Sequence, residues 1–128
     1  MPLPCPCGLP HSYEKCCGRH TGGNAPAPTA EALMRSRYTA YTLGLEPYLL
    51  ATWHPSTRPA ALELNAEPHP QWLGLQVKRH RQIDEIHAEV EFVARHKIGG
   101  RAWRLHETSR FVREEGQWYY LDGDIKES

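Results

Sequence analysis

From Trp72 onward, apolar and polar residues alternate with a period of two, the spacing of strands with one face in a core. Trp72 to Arg81 reads as a first strand. In a second, Ile86, Ala88, Val90, Phe92 and Ala94 alternate with His87, Glu89, Glu91 and Val93. Ile98-Gly99-Gly100-Arg101 has the composition of a hairpin turn, because glycine accepts the positive φ angles such turns require. Trp103, Leu105, Glu107, Ser109 and Phe111 form one face of a third strand. Glu114-Glu115-Gly116-Gln117 turns the chain again, and Trp118, Tyr120 and Asp122 share one side of a fourth.

Before Trp72 the pattern is helical. Thr29 is placed to cap a helix that runs to about Leu43, where Gly44 can end it. Met34, Tyr38, Tyr41 and Leu45 recur on one apolar stripe of that helix. Pro47 opens a short helix to Thr52, and Pro59 opens a further helical turn through Leu64. Residues 21 to 28 are rich in turn formers and read as a linker. Helices first and an antiparallel meander afterwards predict an α+β fold, with a curved four-stranded sheet over the long helix.

The 128 residues suit one domain. Lys plus Arg and Asp plus Glu are 15 each, so no strong pull toward nucleic acid or anionic membrane is expected. Lys78-Arg79-His80-Arg81 and Arg95-His96-Lys97 are basic, but Asp84, Glu85, Glu89 and Glu91 lie near them, and they read as a solvated face. No apolar run approaches the roughly 20 residues of a membrane span. Met1-Pro2-Leu3-Pro4 lacks the basic and apolar regions of a secretory signal. The expected location is the cytoplasm, where cysteines stay reduced unless a metal holds them.

The most specific chemistry is at the N-terminus, where all four cysteines fall within Cys5-Pro6-Cys7-Gly8-Leu9-Pro10-His11-Ser12-Tyr13-Glu14-Lys15-Cys16-Cys17. Two close pairs separated by a short loop can wrap one tetrahedral ion, and zinc suits four thiolates. Lys15 and Arg19 lie near enough in sequence to offset the net negative charge of such a site. Free thiols, a redox pair, or a site completed by His11 or His20 are the alternatives. A bridge between adjacent Cys16 and Cys17 would be strained. The stretch resembles the SEC-C motif, a small zinc-binding element that runs Cys-x-Cys-Gly, a basic and aromatic spacer, then Cys followed by Cys or His. Cys5, Cys7, Cys16 and Cys17 fall on its four ligand positions, and Tyr13 and Lys15 fit its spacer. Leu9 stands where a serine is usual.

Five further stretches resemble one bacterial family, YchJ. They are Leu33 to Tyr38, Thr52 to Ser56, Trp72 to Leu75, Ser109 to Phe111, and Gly116 to Gly123. The resemblance implies a nuclear-transport-factor-2-like (cystatin-like) cone, in which a curved sheet and helices enclose a cavity, together with the zinc element. It implies no established activity.

Candidate pocket residues are Arg37, Tyr38, Trp53, His54, Arg58, Trp72, Glu107, Ser109, Trp118 and Asp122. Each has a plainer reading. His54 is a loop histidine bonded to backbone. Glu107, a carboxylate on an apolar face, needs a partner, and a structural pair with Arg35, Arg37 or Arg58 supplies one. Asp122 is weighed the same way, and the tryptophans are core or pocket wall.

The resulting expectation is a zinc knuckle over residues 1 to 20, a linker over 21 to 28 and an α+β cone-like domain over 29 to 128. The chain is expected to be a non-catalytic protein-interaction module with a structural zinc, docking another protein through the knuckle. The alternative is a cone pocket that binds or transforms a small molecule. No catalytic residue is assigned, and both a monomer and a homodimer fit the sequence.

Overall fold

The computed structural model describes residues 5–23, 25–62 and 70–126. A single 3-10 turn, Tyr13–Lys15, leads into the short helix α1, Gly18–Thr21. Helices α2, Ala30–Leu43, and α3, Glu46–Ala51, follow. Four strands complete the chain: β1, Gln71–Gln82; β2, His87–Ile98; β3, Arg101–Glu114; and β4, Gln117–Lys126. All neighbours are antiparallel and the order is β1-β2-β3-β4.

Local chemistry sets the helix ends. The Thr29 hydroxyl accepts from the Ala32 amide at 3.0 Å, and Gly44 closes α2 in the left-handed region at φ 73°. Leu45 leaves the predicted stripe, because the chain turns at Gly44 and Leu45 becomes the residue before α3. Pro59 to Leu62 form no helical turn. A lone turn gains few hydrogen bonds and forms where packing holds it, as at α1 with its buried His20, whereas Ala60 and Ala61 are exposed. The remainder of that predicted turn, Glu63 and Leu64, lies outside the described residues.

Gly99 and Gly100 take φ of 58° and 85° between β2 and β3, the conformation anticipated for a tight hairpin. The strands are longer than the alternation predicted, and on β2 the faces follow it. Ala88, Val90, Phe92 and Ala94 of β2 turn toward α2 with Phe111 of β3, and meet Leu33, Met34 and Tyr38. Ile86 is the exception, half exposed just before β2. Register shifts in the β1–β2 and β3–β4 pairings mark bulges, which bend strands and tighten twist. The bent sheet thus curves over α2.

The loop after α3 joins the sheet. Trp53 bridges Tyr120 in parallel, the Tyr120 amide donates to the Thr52 carbonyl at 2.8 Å, and the His54 amide donates to the Tyr120 carbonyl at 2.7 Å. The segment expected to be a linker is fastened as well. The Ala25 amide donates to the Arg19 carbonyl at 2.9 Å, the His20 ring bonds the Ala25 carbonyl at 2.9 Å, and Ala27 is buried in the main core.

Candidate metal centre and cavity

The first pair of cysteines lies before the 3-10 turn and the second between it and α1. Gly8, at φ 91°, turns the chain after Cys7 through a region closed to most side chains. Gly18 follows Cys17, and a Cβ there would sit 2.7 Å from the Tyr13 carbonyl oxygen, so the loop closes only around a glycine. All four cysteines are free and buried, and their sulfurs lie within 4.8 Å of one another. Cys7 Sγ and Cys16 Sγ are 3.7 Å apart. Zinc–sulfur bonds of about 2.3 Å in a tetrahedron give an edge of roughly 3.8 Å, so the four thiols fit such an ion. Neither His11 nor His20 belongs to this group.

The thiols differ in their readiness to ionise. Hydrogen bonding from Cys17 draws the Cys7 thiol down to about 5. Burial first, and then its cysteine neighbours, push Cys16 up to about 11. Cys17 is raised further, chiefly because it donates to Cys7, with burial adding to the effect. Cys16 and Cys17 are thus held protonated by the cluster alone, and a divalent cation is the natural replacement for their protons.

The cluster is built into the fold. Leu75 of β1 packs against it with Leu9 and Tyr13, and Thr39 Oγ1 of α2 lies 3.8 Å from Cys5 Sγ. Arg35 of α2 donates from Nη1 to the Cys7 carbonyl at 3.0 Å while its Nε bonds Glu31 at 3.0 Å. The sequence pointed to Lys15 and Arg19 as the balancing cations. Both are exposed, and Arg19 Nε donates to the Cys16 carbonyl at 3.3 Å; Arg35 went unrecognised as a further cation at the knuckle because it is 28 residues from Cys7.

Between α2 and the sheet lies a cavity of about 280 Å³. Of the predicted pocket residues, Arg37, Tyr38, Trp53, Trp72, Glu107 and Ser109 line it. Met34, Tyr41, Phe92, Leu105 and Tyr120 also contribute. Tyr41 and Tyr120 were legible as members of apolar stripes.

His54, Arg58, Trp118 and Asp122 line other surfaces. His54 turns outward, where its Nδ1 accepts from the Ser56 amide at 3.1 Å. Its Nε2–H is thereby free to donate to Glu114 at 2.7 Å, so the end of β3 supplies the acid that the sequence left unassigned. Arg58 folds back, and its Nε and Nη2 donate to the Trp53 carbonyl. Trp118 is buried in the core beside the cavity. Asp122 is on the opposite face of the sheet, because the bulge after Arg110 lets β4 skip Leu121 and reverses the alternation. There it meets Arg110, which also holds Asp124 at 2.7 Å and lowers that carboxyl below its usual range. Trp103, expected among core or wall residues, is 46% exposed beneath the Arg101 guanidinium.

The expected pair between Glu107 and an arginine does not form among the described residues. Glu107 instead accepts from the Ser109 hydroxyl at 2.5 Å and leans over Gly123, the one position on that stretch of β4 with no side chain to obstruct it. Arg37 is 5% exposed. Its Nη1 donates to the Leu49 carbonyl at 2.8 Å and to Thr52 Oγ1 at 2.7 Å. The guanidinium stacks 5.1 Å from the Trp53 ring centre and 4.6 Å from that of Tyr120. Burial lowers its pKa from the usual arginine value, opposed by nearby tyrosines and Glu107. The Tyr120 phenol is pushed up, first by burial and then by the charge of Glu107.

On the sheet's outer face, Arg79 and Arg81 stand opposite Glu91 and Glu89, so the basic cluster of β1 is interleaved with acids. Among the described residues no helix is long and apolar enough to cross a membrane.

The family model described as YchJ, middle NTF2-like domain, matches residues 29–123. A UPF0225 protein of Methylibium petroleiphilum is 62% identical over 124 residues, covering 97% of this chain and 90% of that protein. One from Chromobacterium violaceum is 62% identical over 123 residues, covering 93% and 90%. Among solved structures, the chain resembles a SEC-C motif containing protein from Rhodopseudomonas palustris, with TM-score 0.86, 32% identity, and coverage of 99% of this chain and 100% of that one. A SEC-C motif containing protein from Psychrobacter arcticus gives TM-score 0.79 and 31% identity, with 97% and 83% covered.

Proposed function

This chain belongs to the YchJ family, and we propose that it is a zinc protein whose metal is structural and whose knuckle serves as a docking surface for another protein. The observation that carries the metal reading is the buried group of four thiols, close enough to hold one tetrahedral ion. Four thiolate ligands leave no open position for a water or substrate, so the metal's work is to hold the knuckle against α2 and β1. The likeness to SEC-C motif structures supports the same reading. Protein purified without added metal is expected to carry one zinc per chain by native mass spectrometry, released stoichiometrically when a thiol reagent titrates four cysteines. Protein that holds no metal, with four freely reactive thiols, would refute it.

Docking has a cleaner test than loss of the cysteines. Because Cys5 and Cys7 are joined to α2 and β1, serine variants there disturb the fold as well as the surface. Glu14 and Lys15 are exposed on the knuckle. Reversing both charges, Glu14→Lys with Lys15→Glu, is expected to remove partners captured by the wild-type protein while zinc and melting temperature stay unchanged. An identical set of captured proteins would count against docking here.

A second reading is favoured by Arg37. Its guanidinium bonds Leu49 and Thr52 through Nη1 and meets the Tyr41 hydroxyl, which leaves donors over on a buried charged group. The cavity it lines is read as a small-molecule site.

A further inference from the structure

Arg37 and Glu107 border one cavity without forming an ion pair. A guanidinium has five N–H donors. Nη1 uses its own on Leu49 and Thr52. The guanidinium also hydrogen-bonds the Tyr41 hydroxyl, and its remaining N–H groups have no acceptor among the described residues. Arg37 lines the cavity, and the donors not used on Leu49, Thr52 and Tyr41 are the groups it can offer there. Glu107 Oε2 is taken by Ser109, while Oε1 has no partner among the described residues. The cavity thus offers donors from Arg37 and an acceptor from Glu107, between walls that include Trp53, Tyr120, Trp72 and Phe92.

We propose that this cavity binds a flat, uncharged heteroaromatic ring whose edge carries both a carbonyl acceptor and an N–H donor, the lactam chemistry of a nucleobase. This rests on the reading of the cavity as a small-molecule site. The carbonyl accepts from Arg37, the N–H donates to Glu107, and the ring lies among aromatic side chains. Charge balance selects a neutral ligand. The cavity already holds one cation and one carboxylate, and a charged guest would leave an uncompensated charge among apolar rings. Size selects a small one, since the volume lies near the lower end of about 300–1,000 Å³ for ligand pockets.

The test titrates hypoxanthine into the full chain, following tryptophan fluorescence and the indole N–H resonances of Trp53 and Trp72. Indole, a donor without a carbonyl, and benzoate, an anion, are the comparators. Hypoxanthine is expected to saturate and to bind at least roughly tenfold more tightly than either, because a site built for polar groups rejects ligands that leave them unpaired. Arg37 also supports the fold, so Glu107→Gln is the diagnostic variant. It is expected to keep the wild-type circular dichroism and zinc content and to weaken hypoxanthine roughly tenfold, the scale of a lost charge-assisted hydrogen bond. Equal affinity in Glu107→Gln would overturn the assignment. Saturation by indole or benzoate at equal or lower concentration would overturn the ligand class and leave the cavity as a binding site. Absence of saturation or resonance shifts with all three compounds would overturn both.

Discussion

Replacing Cys7 with serine is expected to abolish zinc retention and to destabilise the protein by about 4–5 kcal/mol, among the exceptional losses of which removal of a metal is one named cause. Cys7 is fully buried and its sulfur lies 3.7 Å from that of Cys16. Its thiol is also drawn down to about 5, chiefly by the hydrogen bond from Cys17. A serine hydroxyl is a far weaker ligand at neutral pH, and three remaining thiolates do not close a tetrahedral site. Binding energy of a structural zinc is folding energy, so a strong chelator should bring the wild type down to near the variant's stability while changing the variant little. The loss should not unfold the chain outright, because the cluster around Phe111, Val90 and Leu33 is separate from the one around the cysteines. Denaturant unfolding with and without chelator reads all three outcomes. A Cys7→Ser protein that keeps one zinc and the wild-type midpoint would refute the tetrathiolate site.

Arg37→Met is the second large effect, expected at about 3 kcal/mol from a lost charged hydrogen bond and a lost desolvated cation–π stack. The methionine is close to isosteric, so volume is largely kept. What it removes is the donor to the Leu49 carbonyl, and Leu49 is fully buried. It also removes the cation between Trp53 and Tyr120. These contacts hold α3 and the following loop to α2 and β4, so α3 amides should lose hydrogen-exchange protection before the sheet does. Arg110→Met is the control. Arg110 pairs with Asp122 and Asp124 on the outer face of the sheet, and exposed pairs of this kind contribute at most about 1 kcal/mol. A loss at Arg37 no larger than at Arg110 would show that the guanidinium does not brace the fold.

Some positions were readable because their cause is local. The Thr29 cap and the Gly44 stop depend on groups within a few residues. So do the Gly99-Gly100 turn and the alternation that sends Val90 and Phe92 inward. Other positions were misread for one physical reason each. Asp122 left the expected face because a bulge shifts alternation by one residue, and a bulge depends on the partner strand. Glu107 was expected to find an arginine and instead found Ser109 on its own strand, in room left by Gly123 across the ladder. His54 is bonded to backbone as expected, through the Ser56 amide, and additionally acquired Glu114, sixty residues away, once the loop bonded to β4.

The sequence by itself determined the α+β order of elements, the ends of α2, the hairpin turns and the four cysteines as one group, since each follows from spacing and backbone preference over a short span. Only the tertiary structure decided that the knuckle is joined to α2 through Thr39 and Arg35. It likewise decided that α2 is buried on more than its apolar stripe, with Ser36 and Thr39 fully enclosed, and that Arg37 and Glu107 share a cavity without pairing. These outcomes depend on which surfaces meet after the sheet curves. That curvature sums the twist of four strands and their bulges, a quantity that no short stretch of residues encodes.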